Sequence, residues 1–104
     1  MSSSATPYAS FADFYPHYLR AHQNRTNRRL HFFGTTLVIL LVAAILATGA
    51  FAWLFAVPVA GYGPAWVGHF YFERNRPATF SHPLYSLIGD FRMYADTWTG
   101  KLRF

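Results

Sequence analysis

The chain has 104 residues, enough for one domain, and no cysteine, which excludes disulfides and thiolate metal sites. Nine Lys and Arg against four Asp and Glu give a net charge of +5, and aromatic residues make up 20%. That balance suits anionic lipid head groups; the arginines flank apolar sequence and form no separate basic domain, so no nucleic-acid partner is expected.

The first residues, "MSSSATPYAS", have no basic region leading into an apolar one, so no cleavable signal peptide is expected, and residues 1–9 read as a flexible N-terminus. In residues 10–22, Phe11, Phe14, Tyr15, Tyr18, Leu19 and His22 recur at helical spacing and predict a short amphipathic helix lying in the membrane interface. Ser10 with Asp13 is a candidate N-terminal cap. Pro16 argues for a later start near Tyr15, because proline inside a helix costs roughly 3 kcal/mol. Asn24 and Asn27 in "QNRTNRR" suggest a bend that lets His22 and His31 point at one centre.

Residues 32–68 contain no charged side chain and no histidine. The run is too long for one membrane span, which takes about 20 apolar residues, and suffices for two joined by a tight turn. Thr48-Gly49 is the best turn, since Gly accepts backbone angles other residues resist. The expected spans are about 29–48 and 50–72, the second interrupted by Pro58, Gly61, Gly63 and Pro64. All nine basic residues lie before or after this stretch, so both termini are expected on the cytoplasmic side. The competing soluble reading requires a short chain to cover a fully apolar helix pair. After Pro77 ends the second span, Pro83 opens another helix, about 83–98. Its apolar stripe is Leu84, Leu87, Ile88, Phe91, Ala95 and Trp98, and Ser86, Asp90 and Asp96 take the other side. The fold class is thus an all-α membrane protein: a two-span transmembrane helical hairpin flanked by two interfacial amphipathic helices, a single membrane domain over residues 10–104.

Four of the five histidines flank the hairpin in pairs, His22 and His31 before it, His69 and His82 after it. A hairpin returns both pairs to one membrane surface. Imidazole suits Fe, Zn, Cu and Ni, so these four are candidate ligands of one metal that the residues alone do not choose. His17, off the apolar face of its helix, is expected to be solvated and outside the set. A single interfacial histidine is more often merely polar; the grouping carries the reading. Glu73 admits three roles: a ligand, an acceptor for a histidine N–H, or a surface partner of Arg76, the second being favoured. Asp90 is either such a group or a solvated carboxylate. Arg28 and Arg29 mark the positive flank or bind a carboxylate head group through the two-pronged guanidinium. Glu73, Arg28, Asn75 and Asp90 are the candidates for orienting ligands or substrate.

The pieces H-x-N, N-R-x-L-H-x-x-G-T, G-H-F-x-x-E-x-N-R-P-A-T-F and H-P-x-x-S-x-x-G-D-F cover roughly residues 11–100. Together they resemble the Mpo-like family of small membrane proteins, formerly a domain of unknown function, grouped with the 2-hydroxy fatty acid dioxygenase of phytosphingosine degradation. The resemblance implies an iron(II)-dependent dioxygenase that uses O2 to convert a 2-hydroxy fatty acid to the acid one carbon shorter, with His22, His31, His69 and His82 as the metal-binding and catalytic residues. The 2-hydroxy fatty acid and O2 are the partners it implies; the lipid bilayer is the partner expected from the apolar run, and the short form of the chain suggests a bacterial inner membrane as the location. The alternative is a non-catalytic membrane scaffold or accessory subunit with interfacial histidines; metal content of the purified protein separates the two.

Overall fold

The computed structural model describes residues 8–104, so most of the stretch expected to be flexible lies outside the described residues. The described residues form four α-helices, α1 (Phe11–Arg20), α2 (Arg25–Thr48), α3 (Ala56–Val67) and α4 (Pro83–Trp98), the last three connected through short 3-10 and π segments, and contain no strand.

In α1 the Ser10 hydroxyl accepts the Asp13 N–H at 3.2 Å. The helix therefore starts at Phe11 and runs through Pro16, earlier than the proline suggests. Pro16 is exposed, so the carbonyl it leaves unpaired faces outward, while burial of Phe14, Tyr15 and Tyr18 on the other face holds the helix. α2 likewise starts earlier than residue 29. Asn24, in extended conformation, caps it by accepting the Asn27 N–H at 3.1 Å, so the bend sits at Asn24 and Asn27 lies inside the helix. The helix stops at Gly49, whose φ of 73° is left-handed and whose N–H reaches Ile45 O at 2.8 Å.

The returning segment is helical throughout but changes pitch twice: 3-10 over Phe51–Phe55, α over Ala56–Val67, π over Gly68–Glu73. α3 packs on α2 where both are small. An added Cβ at Gly34 would lie 3.1 Å from Gly61 O and 3.2 Å from Ala60 O. Ala60 O is the carbonyl that Pro64, four residues on and lacking an N–H, leaves free of its helical bond. Two helices, Arg25–Thr48 and Phe51–Glu73, are long and apolar enough to cross a membrane. Little of either is covered: Leu40, Leu46, Phe55 and Val59 are each more than 60% exposed.

α4 packs on α1, and it does so with the side that reads as polar. Ser86, Gly89, Met93 and Asp96 are buried, whereas Leu84, Leu87, Ile88, Phe91 and Trp98 are exposed. This reverses the expected solvated placement of Ser86, Asp90 and Asp96. The cause lies in α1: its buried face carries the Tyr15 and Tyr18 hydroxyls, which need acceptors. Tyr15 donates to Asp96 at 2.8 Å and Tyr18 donates to Asp90. The aromatic face of α1 is therefore covered by α4.

Gly89 makes that approach possible, since a Cβ there would sit 2.9 Å from Tyr18 Cδ2. Gly89→Ala is expected to lower unfolding stability in detergent by about 1–3 kcal/mol. Gly63, with open space around its would-be Cβ, is the control. Gly63→Ala should be neutral or gain up to about 1 kcal/mol. Equal stability of the two variants would rule out the tight α1–α4 contact.

Candidate metal centre

Three histidines are brought together, each held by its Nδ1. His22 follows the end of α1; its ring stacks on Tyr18 at 4.0 Å between centroids, and Nδ1 donates to Tyr18 O at 2.6 Å. His31, in the second turn of α2, donates from Nδ1 to Asn27 O at 2.9 Å. His69, in the π turn, donates from Nδ1 to Asn75 Oδ1 at 2.6 Å, and the Asn75 amide is oriented by its own donation to Ala21 O at 3.1 Å. Each partner is an acceptor, which assigns the proton to Nδ1 and leaves the Nε2 lone pair free.

The three Nε2 atoms face one another. His22 Nε2 lies 3.1 Å from His31 Nε2 and 2.8 Å from His69 Nε2, and all three fall within 4.8 Å. With every Nδ1–H committed elsewhere, no hydrogen remains to bridge three lone pairs, so the arrangement fits a cation. All three rings are buried. Burial, reinforced by His31 and His69 alongside, holds His22 well below the usual imidazole range, so it is neutral and ready to ligate. A triad of neutral imidazoles suits a first-row transition metal and would leave further coordination positions open on it.

The surroundings explain the spacing. In the π turn the Arg74 N–H reaches back to His69 O, and Arg74 itself takes a left-handed φ of 59°. That conformation costs a non-glycine residue roughly 1–2 kcal/mol; it brings Asn75 back beneath His69, where the Asn75 N–H also bonds His69 O at 3.0 Å. Gly68 presses on Asn27, and a Cβ there would fall 2.1 Å from Asn27 Oδ1. Glu73 Oε1 accepts the Asn24 N–H at 2.8 Å and Asn27 Nδ2 at 3.1 Å. It therefore closes the positive first turn of α2 and steadies Asn27, and the role of histidine acceptor foreseen for it falls to Asn75.

The remaining candidates are distributed differently from the sequence reading. His82 stands apart, packed on Phe14 and Tyr8 with Nδ1 2.9 Å from Ser81 Oγ. Contact between α4 and the start of α1 carries it there, whereas the triad gathers at the end of α1. His17 is half-buried, not solvated: it stacks on Tyr8 at 5.4 Å and packs on Phe14 at 5.9 Å. Burial lowers its pKa, with Arg20 and His82 adding to the effect. Asp90 receives the Tyr18 hydroxyl and, with His31, lines a cavity of about 210 Å³ between α2, α3 and α4. Burial raises its carboxyl to about 6, against the opposing hydrogen bond from Tyr18. Arg28 shares a narrow space with His31 and Asp90, and its buried Nε has no hydrogen-bond partner among the described residues. Sequence reasoning missed Tyr18 and Asn27. Each precedes a triad histidine by four residues, the spacing at which a backbone carbonyl meets an imidazole N–H.

Because Asp90 holds its proton more tightly folded than unfolded, its burial opposes folding increasingly as pH rises from about 4 to about 6. Asp90→Asn should remove this and gain roughly 2–3 kcal/mol at neutral pH relative to wild type, with the two stabilities converging below pH 4. Stability curves in detergent that stay parallel across that range would contradict the burial of the carboxylate.

No curated protein and no solved structure matches the chain. A family model does, over residues 8–102, which include the three converging histidines, Asn75 and Asp90. The chain belongs to the Mpo1-like family, described as 2-hydroxy-palmitic acid dioxygenase Mpo1-like.

Proposed function

We propose that this protein is a membrane-embedded, iron(II)-dependent dioxygenase that uses O2 to convert 2-hydroxy fatty acids to the acid one carbon shorter. The observation that carries the reading is the convergence of His22, His31 and His69 through Nε2 atoms whose opposite nitrogens are all occupied. The family description supplies the substrate class. The conversion balances without a further reductant: a 2-hydroxy acid and O2 give the shortened acid, CO2 and water, so the substrate supplies every electron that O2 takes up. Iron(II) supplies the one-electron chemistry that O2 requires and positions for the substrate oxygens.

The chain's own residues do the rest. Nδ1 anchors keep three imidazoles neutral and aimed. Arg28, whose buried Nε finds no partner among the described residues, is the donor for the substrate carboxylate. Asp90, on the cavity wall beside His31, takes up the substrate hydroxyl proton, and Tyr18 steadies it by hydrogen bonding. Asn75 and Glu73 hold the ligand-bearing turns in register. Helix α2 and the continuous helical segment Phe51–Glu73, apolar and largely uncovered, form the two spans, and the outward stripe of α4 meets the interfacial lipid.

After anaerobic iron loading, detergent-purified wild type should hold near-stoichiometric iron and consume oxygen with 2-hydroxy-palmitic acid. Alanine at His22, His31 or His69 should abolish both, alanine at His17 or His82 should retain iron, and Asn75→Ala should weaken iron binding about 10- to 100-fold. Loss of iron in His82→Ala as complete as in His69→Ala would sink the three-histidine assignment, and iron without oxygen uptake would sink the dioxygenase reading. Reporters fused at either terminus should both be cytoplasmic, given where the nine basic residues lie; one periplasmic terminus would exclude the two-span arrangement.

A further inference from the structure

We propose that the cleft between α2, α3 and α4 seats the first stretch of a single unbranched acyl chain, and that Val38 and Leu87 at its outer end control entry. The proposal deepens the dioxygenase reading and rests on it for the nature of the occupant's head. The cleft is graded from one end to the other. Its inner wall is made by His31, Thr35 and Ala65, all buried, with Asp90 beside them. Its outer wall includes Val38, Val57 and Leu87, and Leu87 is 45% exposed. Apart from Tyr62 partway along α3, polar groups thus line only the end where the metal-binding triad begins, and Val38, Val57 and Leu87 make the open end apolar on all three helices.

The dimensions select the occupant. His31, Thr35 and Val38 follow one face of α2, a span of seven residues or roughly 10 Å. On α3 the facing run, Ala65 to Pro58, covers the same length in the opposite direction. The wall is narrow because α2 and α3 nearly touch: a Cβ on Gly61 would lie 3.1 Å from Val38 Cγ2. A cavity of about 210 Å³ with these walls takes one chain and not the paired chains of a diacyl lipid. Because the cleft is short and its mouth lies on the uncovered face of the helices, the rest of the chain passes into the bilayer. Shape near the head is therefore sensed, and total chain length is not.

The test uses metal-free wild-type protein in nanodiscs and palmitic acid carrying a diazirine either in the half nearer the carboxylate or at the terminal carbon. The proximal probe should label Val38, Leu87 and Phe91, and the terminal probe should not. Val38→Trp should reduce proximal labelling about tenfold or more by displacing buried methylenes. Leu40→Trp, at a position 62% exposed on another face of α2, should leave it unchanged. Leu87→Trp provides a second obstruction from α4, and unchanged iron stoichiometry certifies the fold of each variant. A methyl branch in the proximal half of a competing acid should weaken competition, and lengthening the chain end should not. Undiminished labelling in both iron-competent obstruction variants, or equal cleft labelling by the terminal probe, would overturn the proposal. Cleft labelling with no turnover of any 2-hydroxy acid supports the cleft and removes the dioxygenase reading. Turnover with labelling that ignores both tryptophans overturns the cleft and leaves that reading standing.

Discussion

Three imidazole lone pairs aimed at one point repel one another, and the structure depends on holding them there. Each ring is fixed by a hydrogen bond from its far nitrogen: to Tyr18 O, to Asn27 O, and to Asn75 Oδ1. Those acceptors come from the end of α1, the start of α2 and the turn after the second apolar segment. The three pieces of chain must therefore be in register before the centre exists. Glu73 bonds Asn24 and Asn27, Asn75 bonds Ala21, and Gly68 seats Asn27, which ties all three together. A ring that lost its acceptor would be free to rotate its lone pair away, so the acceptors matter as much as the rings.

Behind His22 lies a polar layer that a soluble protein would place outside. Tyr15 and Asp96, and Tyr18 and Asp90, pair between α1 and α4, and Arg92 lies over the Tyr15 ring at 5.0 Å while bonding Asp96 at 3.2 Å. Arg92 is half exposed, so its ion pair contributes little by itself; the buried tyrosine–carboxylate bonds do more. Turning these groups inward leaves Leu84, Leu87, Ile88 and Phe91 outward. Such a patch, continuous with the uncovered faces of two long apolar helices, is unfavourable in water and favourable against hydrocarbon.

The second apolar segment uses pitch as a positioning device. A uniform α-helix continuing from α3 would carry His69 round at a fixed angle. The π turn widens the coil around His69, and the left-handed Arg74 brings Asn75 back to it. π segments are rare and gather at functional sites, where the displaced side chain repays the poorer backbone bonding.

Much was legible one residue at a time. The uncharged run 32–68, the turn at Gly49, Pro83 opening a helix, and the aromatic face of α1 all follow from local chemistry that needs no partner to be recognised. Four flanking histidines were legible as a group. Which three of them meet was not, because His82 is separated from His69 by a turn whose direction depends on how α4 docks. The burial of Asp90 and Asp96 was equally hidden. Helical periodicity says which residues share a face, but which face turns inward is set by the partner, here a pair of tyrosine hydroxyls requiring acceptors and a glycine that lets one ring approach. Sequence determined the elements and the stock of ligands; tertiary structure decided their pairing, because hydrogen-bond satisfaction and close packing are properties of two surfaces at once.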